Sequence, residues 1–208
     1  IGLKIVQAIT GLALIGFVVG HIAGNLLIFL GPDALNEYAQ FLRDTIKLLW
    51  VARIGLLVMF VTHIFVAIKL SLRNKAARPE RYKKEANVQA STASLSMSQS
   101  GMIILGFVIV HLLHFTFGSL QPEYASLVDA QGRHDVYAMV VHGFSNELYS
   151  VGYILALTFL GFHLSHGFGS LFQTLGFSQT NFKNSAKKVG QAFGAVSYTH
   201  LTLPTTKN

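Results

Sequence analysis

The sequence predicts an all-α polytopic membrane helix bundle, with four complete transmembrane helices and a truncated or atypical fifth. Three observations predict it. First, 51% of the 208 residues are hydrophobic and only 12% are charged, where a soluble domain carries about 25% charged residues. Second, four apolar stretches each exceed the ~20 residues that cross a bilayer core. Third, the connecting segments alternate between basic and acidic, as the positive-inside rule requires. The composition excludes a disordered chain and argues against a soluble enzyme. Cysteine is absent, so disulfides, thiolate metal sites and cysteine nucleophiles are excluded.

The first stretch covers residues 5–30 and holds one ionisable side chain, His21. Its apolar part is roughly twice the 7–15 residues of a signal peptide, so it reads as a span. The second covers 48–72 and contains Arg53, His63 and Lys69. The third, 97–117, contains His111 and His114, and the fourth, 149–175, contains His163 and His166. Between the second and third lie Lys69, Arg73, Lys75, Arg78, Arg81, Lys83 and Lys84 against Glu80. The segment 32–47 carries Asp33, Glu37 and Asp44 against Arg43 and Lys47, and 121–137 carries Glu123, Asp129 and Asp135 against Arg133. Lys183, Lys187 and Lys188 follow the fourth stretch. The N-terminus, the 69–87 loop and the 176–188 segment are therefore expected on the cytoplasmic side of a bacterial-type cytoplasmic membrane. The formal charge of +7 is then a topology signal, and no nucleic-acid partner is expected. Residues 188–198 read like the start of a fifth span, which about ten apolar residues cannot complete. Residues 1–195 are expected to form the transmembrane domain, 196–208 an atypical tail, and the whole a fragment of a somewhat longer protein.

An ionisable residue inside a span is costly and marks a functional site by default. One such histidine has an ordinary alternative, a neutral imidazole bonded to a backbone carbonyl. Here all four spans contain one. Imidazole is an iron ligand that needs no nearby charge, which suits a haem in a dry bundle. Two facing helices with one histidine each can grip a haem from both sides. Depth suggests the pairs. At 1.5 Å per residue, His21 lies ~13 Å and His111 ~9 Å from the outer ends of their helices, while His63 lies ~13 Å and His163 ~18 Å from the inner ends. His21 and His111 share the outer half; His63 and His163 share the inner half. Two bis-His b haems leave neither iron free for oxygen, which favours electron transfer. His114 and His166 each follow a proposed ligand by three residues on the same face. Either replaces its neighbour as ligand, or binds a haem propionate or a quinone carbonyl. His134 and His142 sit at or outside the outer interface.

Four segments around the histidines carry a resemblance. They are Gly20-His21-Ile22-Ala23-Gly24-Asn25, Thr62-His63 through Lys69 with the basic Arg73-Asn74-Lys75, Val110-His111-Leu112-Leu113-His114, and Gly161-Phe162-His163-Leu164-Ser165-His166. Together they resemble the cytochrome b membrane-anchor subunit of succinate dehydrogenase or fumarate reductase, in its single-subunit, five-helix, di-haem form. The resemblance covers about residues 1–195. It implies haem ligand pairs from spans one and three and from spans two and four. It also implies flavoprotein and iron–sulfur partner subunits docked on the cytoplasmic face. Electrons would pass between succinate or fumarate and a membrane quinone, menaquinone in this type. Succinate chemistry would belong to the partners. Two features depart from the pattern: the incomplete fifth helix, and Gly161 where some relatives carry a proton-relaying glutamate. A cytochrome b anchor of a hydrogenase or formate dehydrogenase, and a non-redox transporter or anchor, are the alternative readings.

Arg53, near the outer end of its span, either pairs with a haem propionate or snorkels to the interface. Asn25, Glu37 and Trp50 lie near outer helix ends and are candidates to line a quinone pocket. Trp50 also fits an interfacial anchor.

Overall fold

The computed structural model describes residues 2–76 and 97–174. The basic run beyond residue 76, the expected fifth span and the tail 196–208 lie outside the described residues. Helix α1 spans Gly2–Asn25 and tightens into a 3₁₀ turn over Leu26–Leu30. The chain then reverses at Gly31, whose φ of 102° belongs to the left-handed region that favours glycine. Pro32 follows as the first residue of α2, Pro32–Asp44, where its missing N–H costs nothing. Helix α3 runs over Ile46–Ala76, about 46 Å at 1.5 Å per residue.

Helix α4, Met97–His111, widens into a π turn over Leu112–Thr116. There the Phe117 N–H reaches the Leu112 carbonyl at 2.8 Å, five residues back. A short α5, Pro122–Ala125, and an isolated β-bridge between Val128 and His134 lead to α6, Val136–Ser145. Asp135 caps α6 by accepting from the Ala138 N–H at 2.9 Å. Asn146 breaks the chain and accepts from the Leu148 N–H at 3.0 Å, which starts α7, Glu147–Thr174.

Four of these helices are long and apolar enough to cross a membrane: 2–30, 46–74, 97–116 and 147–171. The chain is a helical membrane bundle, as the composition predicts. Helix α1 packs against α3 and α7, and α4 packs against α7. The outward surface is as apolar as the inside. Leu72, Ile109 and Phe162 all stand exposed, which is the arrangement lipid permits and water forbids. The helix contacts are made instead by small and weakly polar residues such as Ala8, Thr10, Ser100 and Ala156, all buried.

The two segments expected as loops are more ordered than charge alone implies. Residues 32–44 form α2, and α2 packs on α6 across one end of the bundle. That end is capped; the C-terminal ends of α3 and α7 and the start of α4 stand at the opposite end. Asn36, only 1% exposed, holds the cap together. Its amide donates to Asp129 Oδ2 at 3.2 Å and to Asp135 Oδ1 at 3.0 Å, and its carbonyl accepts from the Tyr137 N–H at 3.0 Å. Arg133 completes the cap, donating from Nε to Asp129 at 2.7 Å and from a terminal nitrogen to Asp33 at 2.8 Å. Burial works against the Asp129 carboxylate, but hydrogen bonds from the Arg133 backbone and guanidinium, Asn36 and the Gln131 N–H outweigh it and hold its pKa below the usual value. The carboxylates in turn raise Arg133.

Candidate functional site

The histidines fall into two groups along the bundle axis. Towards the capped end, His21 of α1 and His111 of α4 face each other, with ring centroids 5.7 Å apart and planes at 89°. Phe17 stacks on His21 one helical turn earlier, at 5.4 Å. His111 is ringed by Phe107, Phe115 and Tyr153. Its Nδ1 is buried without a hydrogen-bond partner, an arrangement that costs roughly 1–3 kcal/mol when nothing offsets it.

Towards the opposite end lie His63 of α3 and His163 of α7. His63 leans on α1. Its Nδ1 is 3.1 Å from Thr10 Oγ1 and its Nε2 is 3.1 Å from Gln7 Nε2. His163 leans on α4, with Nδ1 3.1 Å from Ser100 Oγ. Each hydroxyl also donates to a carbonyl of its own helix: Thr10 to Val6 at 2.8 Å and Ser100 to Met97 at 3.0 Å.

His114 has different surroundings. It is 3% exposed and sits in an aromatic nest of Phe115, Phe144, Tyr149 and Tyr153. Both ring nitrogens are engaged: Nδ1 lies 3.2 Å from the Tyr153 hydroxyl and Nε2 lies 2.7 Å from Gln121 Oε1. Since Gln121 Oε1 only accepts, Nε2 carries the proton and Nδ1 accepts from tyrosine. His114 lies within the π turn and shares Phe115 and Tyr153 with His111. His166, one turn beyond His163, is half-buried and interacts electrostatically with it.

Arg53 is exposed, and its guanidinium lies over the Trp50 ring at 5.4 Å on the same helix. Lys69 lies similarly over Phe65 at 5.7 Å. Neither contact reaches a histidine. Glu37 and Asn25 are also exposed. His134 is held in the cap by the Leu127 carbonyl at 3.2 Å. Burial and the nearby Arg43 charge push its pKa down, against that hydrogen bond and Asp135. His142 stacks on Tyr124 at 4.8 Å.

Sequence reasoning passed over Gln7, Thr10, Ser100, Gln121 and Tyr153, all of which touch a histidine. The available signal was polarity inside a span, since Thr10 and Ser100 are among the few buried polar residues of the bundle. Among the described residues, no group of three or more histidines and carboxylates converges. The arrangement offers imidazoles in twos, which suits a cofactor that supplies its own equatorial ligands.

Residues 71–203 match the family described as the succinate dehydrogenase/fumarate reductase transmembrane subunit. The matched stretch includes His111, His114, His163 and His166; His21 and His63 precede it. No curated protein and no solved structure matches the chain. The match spans well over half of the chain, and the four membrane-crossing helices agree with it, so the chain belongs to the succinate dehydrogenase/fumarate reductase transmembrane subunit family.

Proposed function

We propose that this chain is the di-haem cytochrome b anchor of its complex, passing electrons between an iron–sulfur subunit and membrane quinone. The observation that carries the reading is the pairing of imidazoles across helices. His21 meets His111 between the first and third spans, with ring centroids 5.7 Å apart; His63 and His163 are each held by a hydroxyl of another helix towards the opposite end. None of the four rings is fully enclosed by protein, whereas His114 is buried with both nitrogens bonded. That contrast favours His21, His63, His111 and His163 as the residues that would hold the haems, with His114 as a packing and positioning group.

A haem bound there would supply one-electron chemistry. The chain's part is to hold the rings in register and exclude water. Phe17, Phe107, Phe115 and Tyr153 supply the dry wall around the His21–His111 pair. On His63, the Nε2 lone pair accepts from the Gln7 amide; it is the nitrogen that would hold an iron. The end opposite the cap carries Lys69 and Arg73 towards the close of α3. The positive-inside rule therefore favours that end as cytoplasmic and the N-terminus with it. The flavoprotein and iron–sulfur subunits dock there, and His63 and His163 hold the inner haem. The quinone, menaquinone by resemblance, exchanges electrons within the membrane.

The test is a reduced-minus-oxidised absorption spectrum of the purified membrane complex, with haem stoichiometry. Two low-spin b haems per chain, reduced by succinate, are expected. A complex without a b-haem signal overturns the reading.

A further inference from the structure

The two inner histidines are seated in the same way by two unrelated helices. On α1 the seat is Thr10-Gly11; on α4 it is Ser100-Gly101. In each, the hydroxyl meets the imidazole Nδ1 at 3.1 Å. In each, the next residue is a glycine that lies against the imidazole Cε1. A Cβ at Gly11 would stand 3.3 Å from His63 Cε1, and one at Gly101 3.6 Å from His163 Cε1. Both hydroxyls are buried, at 4% and 2% exposure. A hydroxyl has one proton, and each hydroxyl has a main-chain carbonyl in range: Val6 at 2.8 Å and Met97 at 3.0 Å. With its proton given to that carbonyl, the oxygen can only accept from the ring. The imidazole therefore holds its own proton on Nδ1, and Nε2 keeps the lone pair.

We infer that Thr10-Gly11 and Ser100-Gly101 are matched imidazole seats that fix His63 and His163 as Nδ1–H tautomers and tune the haem held between them. The inference rests on the proposed haem function. Thr10 and Ser100 are positioning residues, since they act through the ligand and touch no iron. A second-shell acceptor on Nδ1–H fixes the ring's orientation and raises its basicity as a ligand. A more basic ligand favours the oxidised iron. Removing the acceptor therefore raises the reduction potential of the inner haem and leaves the outer one unmoved. Each seat is expected to shift the oxidised-to-reduced ratio by about three- to tenfold, up to ~59 mV for one electron.

The experiment is a redox titration of the whole complex, followed by absorption and low-temperature electron paramagnetic resonance. The variants are Thr10→Val, Ser100→Ala and the hydroxyl-keeping pair Thr10→Ser and Ser100→Thr. Thr10→Val and Ser100→Ala should each raise the potential of one and the same haem and shift its low-spin signal, and Thr10→Ser should restore both. Loss of one haem in Thr10→Val with retention in Thr10→Ser supports the seat as well. Two bound haems whose potentials and signals stay put in Thr10→Val and Ser100→Ala overturn the inference and leave the di-haem reading standing. An unaltered complex without haem overturns both.

Discussion

Asn36→Leu is the perturbation whose cost follows most directly from the structure. The asparagine is 1% exposed and uses three polar atoms' worth of bonding at once: two donations to Asp129 and Asp135, and one acceptance from the Tyr137 N–H. Leucine keeps the branching at Cγ and removes all three hydrogen bonds. A hydrogen bond to a charged group is worth about 1.5–3 kcal/mol and a neutral one about 0.5–1.5 kcal/mol. The carboxylates keep other partners, however. Asp129 retains the Arg133 Nε and two backbone N–H groups, and Asp135 retains the Ala138 N–H. The losses therefore sum towards the lower end, about 3.5 kcal/mol. At roughly 2–4 °C per kcal/mol for a chain of this size, the apparent Tm falls by about 7–14 °C. The assay is thermal unfolding of the detergent-solubilised complex at one fixed scan rate, because unfolding of such a complex is irreversible. The outer haem should also be lost before the inner one, since the cap joins the helix ends nearest His21 and His111. Gln40→Ala is the control; it removes a solvent-exposed bond to Asp44 at 2.8 Å and should shift Tm little. A fall of less than about 2 °C for Asn36→Leu, or equal falls for both variants, refutes the view of Asn36 as the latch of the cap.

His21→Ala and His111→Ala should each remove the same one of two haems, and His63→Ala and His163→Ala the other, by pyridine haemochrome stoichiometry. His166→Ala should keep both; loss of the inner haem in that variant alone would move the ligand one turn along α7. Arg53→Gln should leave both potentials unchanged, because the guanidinium lies over Trp50; a shift of the outer haem would restore the propionate pairing. The cap should weaken on acidification in two stages. His134, held below its ordinary value of 6.5, binds fewer protons folded than unfolded, so stability falls as pH drops below about 6.5 and levels off under its depressed value. Asp129 lies below its ordinary 3.8, so its contribution is present above that value and disappears as pH falls through the lowered one. Thermal scans across pH 3–8, compared with His134→Gln, separate the two stages.

The four spans were legible because lipid removes ambiguity. A stretch that must satisfy its backbone internally and face hydrocarbon can only be a long apolar helix. The observed helices depart from the expected limits by a few residues, largely at their ends. The loops were misjudged for the opposite reason. Residues 32–44 were read through their charges, but Gly31, Pro32 and the buried pair Leu35–Asn36 decide their structure. Of the segment's acidic residues Asp33 meets Arg133, and Asn36 meets Asp129 and Asp135 of the other outer segment, so carboxylates from both segments join one folded cap. Charge counting reports which side of a membrane a segment occupies and says nothing of whom each carboxylate meets.

The histidines show where spacing stops being informative. Depth placed His21 with His111, and their rings do meet. A three-residue offset made His111 and His114 look interchangeable, on the premise of an undisturbed α-helix. The π turn at Leu112–Thr116 breaks that premise. His114, inside that turn, has both ring nitrogens engaged, whereas the buried Nδ1 of His111 has no partner among the described residues. Along α7 the helix continues unbroken through His163 and His166, so the choice there cannot be made by helix phase. What sets His163 apart is a neighbour: Ser100 on α4 reaches His163 Nδ1 at 3.1 Å, as Thr10 on α1 reaches His63 Nδ1. Two hydroxyls from different helices performing one task on two imidazoles explain why small polar residues stand at those depths. In an apolar helix a buried hydroxyl that is already bonded to its own turn gains little from burial. Its second bond, to a ring on the next helix, is what gives the position a use.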